Sequence, residues 1–412
     1  MYPFASWLAF LGYYALVVAL AVHFCKKHFT GLQIAAALTL KIVAACLFGY
    51  FFLHYANGAL IDTWYYHTEG WKEYQLLKTN PIQFLRKDIL DHGYASATDT
   101  IFHQQNSFAK DLQHNLLIKL VAILHAFSGG NYYINALLYA SLCFPASVWL
   151  YKLGKLYQPT AEARKFLYLL CFYTPSFLFW NSGIMKDGVT VLAAMACLYS
   201  MAQYAATHRG KYIATCMLAL VLCFALRQFV AVSLVVGFAA FLLQNRLAWR
   251  TSFTVLVVLS AVTVLLAINT VWWPYPVNFL EKIMDRSRAF MALAQASGSA
   301  LFLPAADGAG FFITAIPYAI KNTLLAPMVP ISTQFSNVVA AIYHILFLGF
   351  CGVALTRKRS QSSTAVSALL WVVIIINVLL IGYTVPVAGA IVRYRSWLEW
   401  LLLFQIWLRR LH

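Results

Sequence analysis

The chain has 412 residues, of which 62% are hydrophobic and 10% charged, with a formal net charge of +17. Its mean hydropathy is +0.71, and an ordinary soluble domain carries about 25% charged residues, so the composition excludes a soluble globular protein. It predicts an all-α, polytopic membrane protein, because only helices and closed barrels satisfy their backbone polar groups in lipid.

Lys and Arg fall in short clusters between apolar runs. That pattern orients helices and attracts anionic membrane lipids, and no nucleic acid is expected as a partner. Apolar runs near the ~20 residues that a crossing needs lie at 5–25, 33–55, 131–151, 165–181, 188–207, 211–226, 229–244, 251–270, 335–356, 364–384 and 394–408, which predicts about eleven crossings. The start, Met1-Tyr2-Pro3-Phe4, has no basic region of a signal peptide, so the first run is expected to be retained as a span.

The basic clusters Lys26-Lys27, Lys152 to Lys165, Arg209 to Lys211, Arg246 to Arg250, Arg357-Lys358-Arg359 and Arg409-Arg410 share one side if 115–127 does not cross. Those ends are then cytoplasmic. Within 115–127, apolar residues recur at helical spacing while His114, Lys119 and His125 interrupt, which suits an amphipathic helix lying in the membrane interface. The chain then reads as a single transmembrane domain over 1–412, with external segments at 57–127 and 271–334. The first carries interfacial helices; the stretch 274–310, with Pro274, Pro276 and Pro304, reads as a mobile loop. Nearly all non-basic polar residues fall on that external side. The eight cysteines sit in or beside apolar runs with no CxxC and read as small buried residues.

Four polar constellations interrupt the apolar pattern. Asp62 and Glu69 follow the span 33–55, and on a helix their spacing of seven places both on one face. They are the candidate catalytic carboxylates, with Tyr66 and His67 between them as candidate substrate contacts; a pair of solvated interface residues is the structural alternative. The turn Trp180 to Gly188 holds Lys186 and Asp187 between two long apolar runs, where ionisable residues are costly and usually paired or functional. Asp187 is a candidate catalytic or metal-binding carboxylate and Lys186 a candidate substrate contact, the alternative being a helix cap. Arg227 ends an apolar run externally, and its guanidinium is a good phosphate fork. Arg393 and Arg395 break the positive-inside pattern, for which phosphate contact supplies a cause. External carboxylates beside external cations suggest chemistry on a phosphate-bearing lipid, with a carboxylate deprotonating an acceptor hydroxyl and cations stabilising the departing phosphate. No Walker loop, GxGxxG, HExxH or GxSxG motif is present.

The order of span 33–55, Asp62, interfacial stretch 57–127, paired spans around Lys152 to Lys165, and Asp187 resembles the GT-C class of integral-membrane glycosyltransferases. The resemblance covers roughly 33–207. An extra span precedes the expected first one and no sizeable soluble domain follows the last, which points to a compact enzyme of lipid or polysaccharide glycosylation. The resemblance implies an inverting transfer from a polyprenyl-phosphate or polyprenyl-diphosphate sugar donor to a lipid, glycan or protein acceptor, at the external face of a bacterial cytoplasmic membrane. In it Asp62 is the general base, Asp187 places the donor phosphate or a divalent cation such as Mg or Mn, and Glu69 contacts the acceptor. Lys186, Arg227, Arg393 and Arg395 hold the lipid phosphate. A surface-polysaccharide polymerase or ligase and a lipid-linked glycan transporter or flippase are the alternatives.

Overall fold

A computed structural model describes residues 4–55, 62–89, 108–247, 249–272, 279–297, 300–305, 310–328, 335–356 and 364–409. Among the described residues the regular structure is helical, apart from an isolated antiparallel bridge between Ala300 and Val387. In chain order the helices are α1 (Phe4–Cys25), α2 (Gly31–Tyr55), α3 (Asp62–Thr79), α4 (Pro81–Arg86), α5 (Phe108–Ser128), α6 (Tyr132–Cys143), α7 (Pro145–Lys155), α8 (Ala161–Tyr173), α9 (Pro175–Trp180) and α10 (Lys186–Thr207). They continue as α11 (Gly210–Leu226), α12 (Gln228–Leu247), α13 (Thr251–Trp272), α14 (Phe279–Ser297), α15 (Gly310–Thr314), α16 (Ile316–Leu325), α17 (Phe335–Thr356), α18 (Ala365–Thr384) and α19 (Ala388–Leu408).

Among the described residues six stretches are long and apolar enough to cross a membrane: Phe4–Cys25, Gly31–His54, Tyr132–Lys155, Lys186–Thr207, Gln228–Leu247 and Ala365–Thr384. Gly210–Leu226, Thr251–Leu266 and Val338–Ala354 are shorter apolar helices. The chain is thus a multi-pass, all-helical membrane protein. Two of the expected runs have a different form. The run 165–181 is divided between α8 and α9 at Thr174-Pro175, because proline has no N–H for the preceding turn and favours the first position of a new helix. The run 394–408 lies within α19, whose Arg393, Arg395 and Glu399 lower its hydropathy.

The chain divides into two compact units, one of Met1–Leu156 with Cys171–Gln228 and one of Tyr157–Leu170 with Phe229–His412. In the first, α1 buries no residue and shows Trp7, Leu11, Leu16 and Leu20 outward, as a lipid-facing helix does. α2 buries Ile34, Ala37, Leu38, Lys41, Ile42, Ala45 and Phe48, an i, i+3/i+4 stripe along one face. α3 and α5 pack closely at Gly70, where a Cβ would stand 2.7 Å from the Val121 Cγ1. Beside that contact the buried Glu73 carboxylate takes Lys87 at 2.7 Å and Lys119 at 3.2 Å. These helices occupy the external segment expected over 57–127, of which 56–61 and 90–107, with Asp91 and Asp99, lie outside the described residues.

In the second unit α18 is central. Its Asn377 donates to Ser233 Oγ at 2.7 Å, and Gly382 lies against the backbone of Ala319 on α16. Trp400 and Trp407 of α19 donate their indole N–H to the carbonyls of Leu170 (3.1 Å) and Ala163 (2.9 Å). Where the sequence suggested a loop over 274–310, residues 279–297 are helical. Leu280, Ile283, Met284 and Met291 recur at helical spacing there, with Ile283 and Met284 packed around Phe311 and Ala315, and that amphipathic pattern outweighs the flanking prolines.

Candidate functional site

The site grows from a helical hairpin. α10 and α11 are joined by a short basic turn at His208-Arg209, so α10 begins and α11 ends at the same extremity of the pair. Antiparallel packing therefore brings residues forty positions apart in sequence together, and the Arg227 Nη2 lies 2.6 Å from the Asp187 Oδ1, with the side chains 9% and 10% exposed. Asp187 is in the first turn of α10, where the helix dipole also favours a carboxylate. Gly188 is needed next to it, because a Cβ there would come within 2.8 Å of the Tyr139 hydroxyl, which donates to the Met185 carbonyl.

The preceding turn is held from below by a charge that sequence reasoning passed over. Lys41, 2% exposed on α2, donates to the Asn181 carbonyl at 3.1 Å and to Ser182 Oγ at 3.4 Å. A buried lysine in an apolar helix demands acceptors of this kind, and its place in the middle of the run 33–55 was the available signal.

α3 and α5 supply the rest. The Lys186 ammonium lies over the buried Tyr66 ring, 5.9 Å from its centre. At the preceding position of α3, Tyr65 Oη and His114 Nε2 are 3.0 Å apart. Burial lowers the His114 pKa, Lys186 lowers it further, and Asp111, Asp62 and Asp88 oppose them, so all four charges act on this ring. Gln113 next to it donates to the Leu226 carbonyl at 2.6 Å, joining α5 to the end of α11 beside Arg227. Tyr66 lies beside His114 and the charges of Asp62 and Lys186 act on it, while Asp187, next to Lys186, pairs with Arg227; the sequence showed His114 only as an interruption of an amphipathic run.

The other candidates have surroundings of their own. Glu69 is seven residues along α3 from Asp62, where its charge still acts on Tyr65, but it pairs with the exposed Lys72 at 2.7 Å. His67 turns into the packing between α3, α5 and α6, with ring centres 4.7 Å from His125 and 5.3 Å from Tyr132. Burial and then His125 push its pKa down to about 3. Arg393 and Arg395 belong to the second unit. Arg393 is half-buried with its guanidinium 5.3 Å from the centre of the Tyr394 ring. Arg395 is 3% exposed and fully engaged: Nε donates to Glu399 Oε1 at 2.7 Å and Nη1 to the carbonyls of Thr323 (2.8 Å) and Ala326. These bonds make Arg395 a clamp on the end of α16. Glu399 also accepts from Tyr343 at 3.3 Å and lies 3.6 Å from His344 Nδ1.

Asp187 was the residue expected to hold a divalent cation. Mg takes several oxygen ligands, and the Asp187 carboxylate is paired with Arg227. Among the described residues no group of three or more His, Cys, Asp or Glu gathers for a metal. Set against protein-family models, curated proteins and solved structures, the chain has no match to any of them.

Proposed function

We propose that this protein is an integral-membrane glycosyltransferase that moves a sugar from a polyprenyl-phosphate or polyprenyl-diphosphate donor to a lipid, glycan or protein acceptor. In this reading the chain crosses a bacterial cytoplasmic membrane about eleven times and works at its external face. The observations that carry it are the buried Asp187–Arg227 pair at the extremity of the α10–α11 hairpin opposite its basic turn, and the neighbouring Lys186 and Asp62, whose charges both act on His114.

The chemistry follows from those groups. The Asp62 carboxylate takes the proton of an acceptor hydroxyl, the oxygen attacks the anomeric carbon, and the bond from that carbon to the phosphate oxygen breaks. Charge then builds on the leaving phosphate, where Arg227 and Lys186 stabilise it, while Asp187 holds the guanidinium in place. No step draws on a divalent cation.

The test is transfer from a panel of radiolabelled polyprenyl-phosphate sugars to envelope lipid by the purified protein, together with Asp62→Asn. Loss of a general base costs about 10²–10⁴ in rate, so transfer by wild type should vanish in the folded variant. Equal transfer by both would remove Asp62 from the reaction, and none from any donor would remove the enzyme class. The transporter reading has an observation of its own: His344, Glu399 and Arg395 are ionisable groups buried within apolar helices, the setting of proton relays. It predicts proton-driven lipid or glycan movement in proteoliposomes that Glu399→Gln abolishes.

A further inference from the structure

The α10–α11 hairpin holds three sulfur atoms in one buried contact. Cys197 and Met201 are four residues apart and share a face of α10. Cys216 meets them from α11, its Sγ 3.3 Å from that of Cys197, while the Met201 Sδ is 3.9 Å from the Cys197 Sγ. The three residues are 0%, 9% and 3% exposed for Cys197, Cys216 and Met201. Cys223 is turned to other work, its Sγ pointing at the Thr190 carbonyl 3.7 Å away.

We propose that Cys197, Cys216 and Met201 form a binding site for a monovalent thiophilic metal ion, with Cu(I) as the chemical match. An ion bonded to each sulfur at about 2.3 Å holds neighbouring sulfurs about 3.8–4 Å apart. The Cys197–Met201 separation already has that value, and the two cysteines need open by only about half an ångström. Hard divalent cations want oxygen, and zinc takes Cys, His or carboxylate in sets of four. Two thiols with a thioether suit a soft ion of low coordination number. On binding, the S–H bonds of Cys197 and Cys216 break and two metal–sulfur bonds form, while Met201 donates a lone pair, so two protons leave for one positive ion bound. The oxidation state of the metal and of the sulfurs stays the same throughout.

The experiment uses the full chain, purified in detergent without oxygen, titrated into Cu(I) held by bicinchoninate with loss of the coloured chelate as the signal. Wild type should remove one equivalent from the chelator. Cys216→Ala should lose that equivalent, Met201→Leu, which keeps the volume, should weaken binding about tenfold or more, and Cys223→Ala should bind as wild type does. Thermal unfolding of each variant shows that the hairpin is intact. Absence of binding by wild type, or an unchanged equivalent in folded Cys216→Ala and Met201→Leu, overturns the site.

Discussion

Asp187→Asn removes the negative member of the buried pair and leaves the Arg227 guanidinium without its counter-charge. The two groups are 2.6 Å apart and about nine-tenths buried, so solvent screens them little. At an effective dielectric of about 20 their attraction is roughly 6 kcal/mol. Desolvation offsets much of that in the intact protein, but a broken buried pair loses the attraction and retains the penalty, for a net cost of about 3–5 kcal/mol. Arg227→Met should cost a similar amount. The double change Asp187→Leu with Arg227→Met should recover most of it, because an apolar pair of similar volume has no charge to desolvate. The assay is reversible unfolding in detergent of wild type, Asp187→Leu, Arg227→Met and the double variant, closed as a cycle whose coupling is at least as large as one single loss, about 3–5 kcal/mol or more. A single-variant loss below about 1 kcal/mol, or strict additivity, would refute the reasoning that this pair holds the hairpin's extremity together.

Glu399→Gln should destabilise the second unit by about 3–5 kcal/mol, since Arg395 would keep its burial and lose its charge partner; an unchanged unfolding midpoint would argue against the clamp. Gly382→Ala places a methyl group on the Ala319 backbone and should cost about 1–3 kcal/mol, and a neutral result in the same unfolding assay would mean that α16 and α18 are less tightly apposed than described. The native His67 has a pKa of about 3 against an ordinary value of 6.5. Between those values the unfolded chain takes up a proton that the native protein refuses, so stability is complete above 6.5 and declines as pH falls toward about 3, by at most about 1.4 kcal/mol per pH unit. The slope of stability against pH over that window should flatten in His67→Asn, and identical slopes would show that His67 contributes nothing.

The membrane class was legible because apolar runs announce themselves in composition, and nine of the eleven expected runs fall on the six long and three shorter apolar segments. Asp187 and Arg227 were also legible as charges that interrupt apolar runs. Their pairing was not, because it depends on where two antiparallel helices end relative to each other. Lys41 and Glu399 carried the same signal in the middle of their runs, and the Arg395–Glu399 spacing of four on one helix was there to be read as an internal pair. Topology alone cast Arg395 as an external cation, since the positive-inside rule weighs residues one at a time. His114 was beyond sequence reasoning for another reason: its surroundings come from α3, α5 and α10, and spacing along one segment cannot report them.

Residues 187 and 227 also impose an order on how the protein is made. At about 5–20 residues per second, the ribosome delivers Arg227 roughly 2–8 s after Asp187, the two being forty positions apart. Through that interval the α10 carboxylate must wait in a wet surrounding, because releasing it sideways into lipid alone is the expensive course. The buried pair can close only once α11 has followed α10, so a stall in translation between the two residues leaves Asp187 without Arg227.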